Sequence, residues 1–423
     1  MSIVNLLGSG SNKWKSCKYE VNIEIKFSSG TTRTLKPAQI TGLYCEKDYD
    51  NDHHPILMLD VALSKIDSNA INDETEFHIR INQFYKESEN GEKKDPKIYL
   101  NDTFVKLNTK SDANSDSSTK IEKSIRKANQ MTDDDVAPED LANQETIPLV
   151  KKDDQSLTKK MINGVLSNVS QLELMAWMLS KAGCRKPMML SNFTNPSKLS
   201  EVIVHPKTLL ANLLEMEKEY GWHQEGTYIF FDYNMLYVTR MNGLCTAWAK
   251  NEPKTVNFCI SDASSSDNVP SGVLIKDNAV YYNIGLDQYQ QSNASSVSDQ
   301  VEGNNMLLIN TTNGGSSNVS SGVTSTYGSG SYNTKTYHGH NPYEEEQYKR
   351  RKLEQENQIK FTCLNGDISF LTPNKEYKVV TDVTSIIKNF SGNYRLSSFK
   401  ASFVKNGDYF DSSTEIVIKR VSK

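Results

Sequence analysis

The chain has 423 residues, 48 Lys and Arg against 52 Asp and Glu, a net charge of -4 and a hydrophobic fraction of 37%. That length exceeds what one core usually serves, so two to four folded modules joined by polar insertions are expected. The near-balanced charge excludes a strong field for nucleic acid or an anionic membrane.

No apolar run approaches the ~20 residues of a spanning helix. The opening MSIVNLLGSGSNKWKSC lacks the apolar segment and small-residue cleavage site of a signal peptide. Cys17, Cys45, Cys184, Cys245, Cys259 and Cys363 are scattered with no CxxC pair, which reads as free thiols in a reducing cytoplasm.

The first hundred residues read as strands. In YEVNIEIKF, Tyr19, Val21, Ile23, Ile25 and Phe27 alternate with polar residues, the period of a strand with one wet face. QITGLYCEKD follows. PILMLDVALSKI reads as a strand buried on both sides, TEFHIRINQFY alternates again, and KIYLNDTFVKLNT closes the series. Five strands with turn signals between them predict an antiparallel barrel or sandwich. From about Thr109 to Asn143 the chain is rich in Ser, Asp, Lys and Asn, and reads as an exposed insertion or tether.

Helical character begins near Gln155. Ser170 and Glu173 form a capping box, Leu172, Met175, Ala176, Leu179 and Ala182 fall at helical spacing, and Gly183 supplies the stop. A second helix is expected to open with Pro206 in its first turn, to bury Leu209, Leu210, Leu213, Leu214 and Tyr220, and to end at Gly221. Two strands, Thr227 to Phe231 and Met235 to Arg240, then meet across Asp232-Tyr233-Asn234, residues suited to a tight turn.

TVNFCISD and GVLIKDNAVYYNI resume the β pattern. From about Gln288 to Lys335 the chain is a Ser/Asn/Gly/Thr-rich insertion in which only NMLLIN looks able to pack. PYEEEQYKRRKLEQENQIKF favours a helix, and YKVVTDV, YRLSSFKASFV and TEIVIKRV end the chain as strands.

Catalytic signals are sparse. No GxSxG, HExxH, P-loop or GxGxxG stands in its required context. His53 and His54, with Asp50 and Asp52 nearby, lack zinc-ligand spacing and read as a polar loop. His338 and His340 supply two candidate ligands where a metal needs three or four, so an exposed loop and a metal clip both stay open there. Asp133-Asp134-Asp135 reads as a solvated acidic run. Tyr228, Phe230, Phe231, Tyr233 and Tyr237 lack a basic patch for nucleic acid and read as packing residues. No catalytic, cofactor or metal residue is assigned.

The segment TLLANLLEMEKEYGWHQEGTYIFFDYNMLYV resembles the signature of tail-hub proteins from contractile-tailed bacteriophages and related secretion machines. The matching positions are Leu213, Met216, Tyr220, Gly221 and Trp222, then Ile229, Phe230 and Phe231, Asn234, and Leu236 to Val238. QLELMAWMLSKAG resembles the preceding helix, the N-terminal strands a first barrel, and NYRLSSFKASFVKNGDYFDSSTEIVIKRV the closing strands. The two long insertions depart from the pattern, and no fused lysozyme or peptidase segment is seen.

The resemblance implies an α+β, mainly β chain: two antiparallel β-barrels flanking a small helix–hairpin domain, with long polar insertions. Its expected divisions are 1–108 for the first barrel, 109–145 for a linker and 146–245 for the helix–hairpin domain. The second barrel would open over 246–287, be interrupted over 288–358 and end over 359–423. The helix–hairpin unit would be a rigid spacer, with Tyr220 and Leu213 packing helix onto hairpin.

A structural, non-enzymatic role in the virion is implied, after synthesis in the host cytoplasm. The implied assembly is a homotrimer adapting a sixfold tail tube protein to a threefold central spike protein, anchoring other baseplate proteins, with no cofactor, nucleic acid or membrane insertion. The alternatives are another baseplate or receptor-binding component and a cell-wall-degrading enzyme.

Overall fold

The computed structural model describes residues 14–50, 54–86, 96–107, 143–190, 198–223, 227–240, 253–261, 272–285, 288–291, 306–310, 333–337, 358–381, 392–407 and 409–421. The chain opens on β1 (Ser16–Lys26), whose alternation is realised: Tyr19, Val21, Ile23 and Ile25 are buried while Asn22, Glu24 and Lys26 are exposed. β2 (Thr32–Thr34) folds back on its end, and β3 (Ile40–Asp48) and β4 (Ile56–Leu63) follow. β4 alternates half-buried Ile56, Met58 and Asp60 with buried Leu57, Leu59 and Val61. The expectation of burial on both faces is corrected: one side of β4 lines the core and the other meets solvent. The chain then turns into a short helix, α1 (Lys65–Ala70).

β5 (Glu76–Lys86), β6 (Lys97–Lys106) and β7 (Asn143–Lys151) complete the first run. Two long C-terminal strands, β21 (Tyr394–Asn406) and β22 (Tyr409–Arg420), close it. The ring β21–β3–β4–β7–β6–β5–β1–β22 returns to β21 through antiparallel pairs at every step, giving a closed eight-stranded antiparallel barrel. A barrel of eight strands is narrow enough for side chains to fill, and Tyr19, Ile23, Leu43, Leu59, Ile79 and Phe403, all at most 1% exposed, belong to the sheet core.

The same two C-terminal strands carry a second group. β13 (Thr255–Ser261), β14 (Val273–Lys276), β15 (Ala279–Gly285) and β20 (Glu376–Thr381) extend from β21, while β16 (Tyr289–Gln291) and β19 (Gln358–Leu364) extend from β22. This group is mixed, because β13 pairs in parallel with both β15 and β20. Asp277 and Asn278, both at positive φ, make the tight β14–β15 turn. Lys15 bridges to Val273, so the outer edge of β14 returns to the start of β1. Gly272 permits this approach: at φ +109 its Cβ would stand 2.1 Å from the Lys15 carbonyl oxygen.

A smaller lobe sits between β7 and β13 in sequence. It holds α2 (Lys152–Lys159), β8 (Met161–Val169), α3 (Gln171–Ala182), β9 (Met188–Leu190), β10 (Leu199–Thr208), α4 (Leu209–Tyr220), β11 (Thr227–Phe231) and β12 (Leu236–Arg240). The Ser170–Glu173 capping box is present, and Gly183 ends α3 in the left-handed region. The α3 stripe is turned from the expected one: Leu174, Met175 and Met178 are buried while Leu172 is 48% exposed.

Pro206 lies in β10, at a register shift between Val204 and Lys207, and α4 is capped by Thr208, whose hydroxyl accepts the Ala211 N–H. The expected first-turn proline is therefore corrected; a bulge tolerates the missing N–H equally well. Leu209, Leu213 and Met216 are buried in α4, whereas Leu214 is 40% exposed. β8 and β10 form a two-stranded ribbon, and β9, β12 and β11 a three-stranded sheet.

β17 (Met306–Asn310) and β18 (Asn333–Tyr337) pair in parallel. Residues 358–361, expected as the end of a helix, instead open β19, where Ile359 and Phe361 are buried against β22. The polar segment 109–142, the acidic run Asp133 to Asp135, His338, His340 and most of 288–357 lie outside the described residues.

Candidate functional site

The hairpin of β11 and β12 is where the small lobe meets the sheets. Its register pairs Ile229 with Val238, Phe230 with Tyr237 and Phe231 with Leu236. Alternation then sends the two faces in opposite directions. Ile229, Phe231, Leu236 and Val238 join the helical core with Leu213, Met216 and Trp222. Phe230, Tyr233 and Tyr237 join the core of the sheets. Both faces are buried, which accounts for the run of aromatic and aliphatic residues in TYIFF and LYV.

The turn is held by three lysines. Lys47 of β3 meets Asp232 Oδ1 at 2.6 Å, with side-chain exposures of 6% and 9%. Its Nζ also stands 4.9 Å from the centre of the Tyr233 ring. Lys151, at the end of β7, donates to the Tyr233 carbonyl at 2.8 Å and to Asn234 Oδ1 at 3.1 Å, and pairs with Asp102 at 2.9 Å. Lys186 donates to the Asp232 carbonyl and pairs with Asp154 at 2.7 Å.

Burial lowers the pKa of Lys186, and Asp154 opposes that shift. Three cations thus face three carboxylates, Asp102, Asp154 and Asp232. Such a buried set is tolerable because the charges balance and Lys151 and Lys186 also reach backbone carbonyls. His54 stacks on Phe231, its ring centre 4.8 Å away and its Nδ1 3.8 Å from Asp154.

Aromatic contacts fix the depth of the turn. Tyr233 packs edge-on against Phe104 at 5.7 Å, and its hydroxyl lies 3.2 Å from Cys45 Sγ. Tyr49 packs on Phe230 at 4.2 Å. The open end of the hairpin reaches the shared strands, where the Arg395 guanidinium lies 3.9 Å over the Tyr228 ring. Arg395 also donates to Asp50 at 2.7 Å, and Asp50 accepts further from Lys419 at 2.6 Å and Ser397 at 2.5 Å. Burial alone would raise the Asp50 carboxyl, but Arg395 and Lys419 outweigh it and hold it down to about 2. A small cleft between Tyr228, Tyr237, Tyr49, Pro373 and Arg395 marks this end of the joint.

The signature residues fall around the same joint. Leu213, Met216, Trp222, Phe231 and Leu236 are at most 1% exposed in the helical core, Phe230 lies in the sheet core, and Tyr220 packs partly buried at the rim. Trp222 donates from Nε1 to the Leu213 carbonyl at 3.2 Å, and its backbone N–H reaches Glu217 at 2.9 Å. Gly221, at φ +64, lets the chain reverse there, and its carbonyl accepts from Gln171 at 2.6 Å. Lys47, Lys151, Lys186 and Arg395 were not singled out from sequence, since each is an ordinary cation until the fold brings it to the turn.

The two sheet groups share β21 and β22, so they are joined directly as well as through the hairpin. The hairpin touches both: its turn meets β3 and β7 of the barrel, and Tyr237 lines a cleft with Pro373, in the loop leading to β20. Its geometry is that of a brace across a joint.

Burial raises the Cys45 thiol, and raises Cys363 to about 12, so both stay protonated at neutral pH. Asp367 is fully buried, and Tyr85 and Gln83 donate to it at 2.5 and 3.1 Å while it accepts the Ser369 N–H. It ties β5 to the loop after β19. Among the described residues, no three His, Cys, Asp or Glu side chains gather as a metal set, and no helix is long and apolar enough to cross a membrane, which says nothing of a β-barrel.

Residues 7–421 match the family model of the bacteriophage PBS1 gene 109 protein. The chain belongs to that family. No curated protein sequence matches the chain. Among solved structures it is similar to a tail protein from Neisseria meningitidis MC58, with 10% identity, a TM-score of 0.47 and coverage of 95% of this chain and 97% of that one. It is also similar to the 43 kDa tail protein of prophage MuSo2 from Shewanella oneidensis, with 10% identity, a TM-score of 0.46 and coverage of 93% and 97%. A third is the E. coli c3393 protein, a component of the type VI secretion system, with 7% identity, a TM-score of 0.39 and coverage of 98% and 76%. The phage origin expected from the sequence agrees with the family to which the chain belongs.

Proposed function

We propose that the chain is a structural hub of a phage-type tail baseplate, located in the virion. Three copies form a ring that adapts a sixfold tail tube protein to a threefold central spike protein and anchors neighbouring baseplate proteins. The observation that supports this most is the fusion of two sheet groups through β21 and β22, braced by a buried hairpin. A subunit built this way offers two sheet-built lobes at a fixed spacing. Three such subunits around an axis present six lobes above and three equivalent faces below, which is the geometry of a symmetry adaptor. The buried joint residues have structural partners, and the role is one of shape.

The test is the mass of the purified full chain across a concentration series, read beside a peptidoglycan-clearing assay. Three copies and no clearing are expected. A chain that stays monomeric at every concentration, or that clears cell wall and loses this on replacement of one or two acids, overturns the reading.

A further inference from the structure

Lys151 makes contacts at the hairpin turn that go beyond ion pairing. Register on β6 and β7 places it opposite Phe104, and Asp102 lies two residues along β6 on the same face. Asp102 Oδ1 is 2.9 Å from Lys151 Nζ, with side-chain exposures of 19% and 11%. The same Nζ is 3.1 Å from Asn234 Oδ1. Among the described residues, Lys151 is the turn lysine that meets both a carboxylate and a side-chain amide; Lys47 meets Asp232, and Lys186 meets Asp154. An amide and a carboxylate therefore stand within hydrogen-bond reach of one amine.

The surroundings hold these groups still. Across the turn the Asp232 N–H donates to the Met235 carbonyl at 2.7 Å. The Tyr233 carbonyl accepts from Lys151 Nζ at 2.8 Å, and the Tyr233 ring packs edge-on against fully buried Phe104. Asn234 itself is exposed, which gives a leaving group a way out. Its Cγ lies one bond beyond the oxygen that faces Nζ, so a rotation of the side chain presents the carbon to the amine. Groups held side by side on a rigid turn react as if at very high concentration. A carboxylate touching the amine supplies the proton transfers that activate it.

The geometry points to an intramolecular isopeptide bond between Lys151 Nζ and Asn234 Cγ, made by the folded chain on itself with Asp102 as proton carrier. Asp102 accepts a proton from the ammonium, and the freed lone pair of Nζ attacks Cγ. Asp102 hands that proton to Nδ2 as the Cγ–Nδ2 bond breaks, and takes a second one from Nζ. The new amide nitrogen keeps one hydrogen. Ammonia leaves and carries off the remaining proton as ammonium. One amide forms and one breaks, so nothing is oxidised or reduced.

The product suits the site. Lys47 and Lys186 keep their pairs with Asp232 and Asp154, and Asp102, the most exposed of the three carboxylates, can accept the new amide N–H. The bond closes a covalent ring around α2, β8, α3, β9, β10, α4 and β11, and fastens the hairpin turn to β7 of the barrel.

The test is the intact mass of the purified full chain, 47.7 kDa by sequence, followed by tryptic peptide mapping before and after prolonged warming. The native chain should be lighter by one ammonia, about 17 Da, and should yield one branched peptide joining Lys151 to Asn234. Asn234→Ala and Lys151→Arg should keep their full sequence masses. Asp102→Asn should slow the loss at least ~100-fold. Circular dichroism checks that each variant is folded.

A native chain that stays at full sequence mass overturns the inference. So does an ammonia loss mapped to an asparagine–glycine pair such as Asn163–Gly164, with no branched peptide. A folded Asp102→Asn variant that reacts at the native rate overturns the role given to Asp102. If that variant is unfolded, the branched peptide of the native chain still decides the bond. None of these results depends on how many copies assemble, so the hub reading stands or falls separately.

Discussion

Replacing Lys47 by Met should loosen the hairpin from the barrel. The Lys47–Asp232 pair is 2.6 Å apart and more than nine-tenths buried on both sides. Removing the cation leaves the Asp232 carboxylate in a nearly dry site, with the Tyr233 N–H at 2.7 Å as a remaining donor. Breaking a buried pair on one side costs ~3–5 kcal/mol. The retained N–H and the neighbouring lysines offset part of that, so ~2–4 kcal/mol is expected.

Asp232→Asn keeps an oxygen for the Tyr233 N–H but strands the lysine, with a similar loss. The double variant removes both charges and should be more stable than the sum of the singles by ~1–3 kcal/mol. Urea unfolding of all four proteins, followed by tryptophan fluorescence, gives the cycle. Trp222 lies in the core against the hairpin and reports its release. Losses below ~0.5 kcal/mol for both singles, with no coupling, would show that the turn is solvated and that the joint does not depend on its charges.

Asp50 sets an acid limit. Its folded pKa of about 2 lies below the ordinary 3.8, so its contribution is full above that ordinary value and fades as pH falls from about 4 towards 2. The shift corresponds to ~2 kcal/mol; Asp50→Asn should remove that much at pH 7 and flatten the loss between pH 4 and 2 in acid titrations. Gly221→Val places a β-branched residue at φ +64 and should cost ~2 kcal/mol or more, seen as a lower melting temperature and poor assembly; a soluble, normally assembling variant refutes the assigned turn. Gly272→Ala should break the Lys15–Val273 bridge, because the new methyl would meet the Lys15 carbonyl at 2.1 Å; unchanged melting and unchanged amide exchange at Val273 would contradict this. Replacing residues 109–142 by a Gly/Ser linker of roughly ten residues, enough to span the ~20 Å from Leu149 back to Asn143, should leave the barrel folded and weaken binding of a neighbouring baseplate protein; loss of the fold would refute the tether reading.

Much of this architecture was legible in the chain because each element is locally self-consistent. β1 alternates cleanly, as does the first half of β5 through Phe77, Ile79 and Ile81, and Ser170, Glu173 and Gly183 mark α3 at both ends. The strands that were missed or cut short carry contrary local signals. β7 contains Pro148 and begins within a polar run, β8 contains Asn163, Gly164 and Asn168, and Pro206 in β10 looked like a helix start. Their pairing partners decide them: β4 for β7, and each other for β8 and β10.

The site divided in the same way. Hydrophobic residues of the hairpin could be read from periodicity, since burial on both faces demands an unbroken apolar run. The lysines could not, because Lys47, Lys151 and Lys186 lie far from Asp232 in sequence and nothing in their local context distinguishes them. The sharing of β21 and β22 was also hidden, since a strand's second neighbour leaves no trace in its own alternation.

Averaged negative-stain images of the purified full chain test the central claim most directly. The account predicts rings of three copies with six sheet lobes around an axial channel. Discrete single subunits, or assemblies of a different symmetry with no channel, would contradict it.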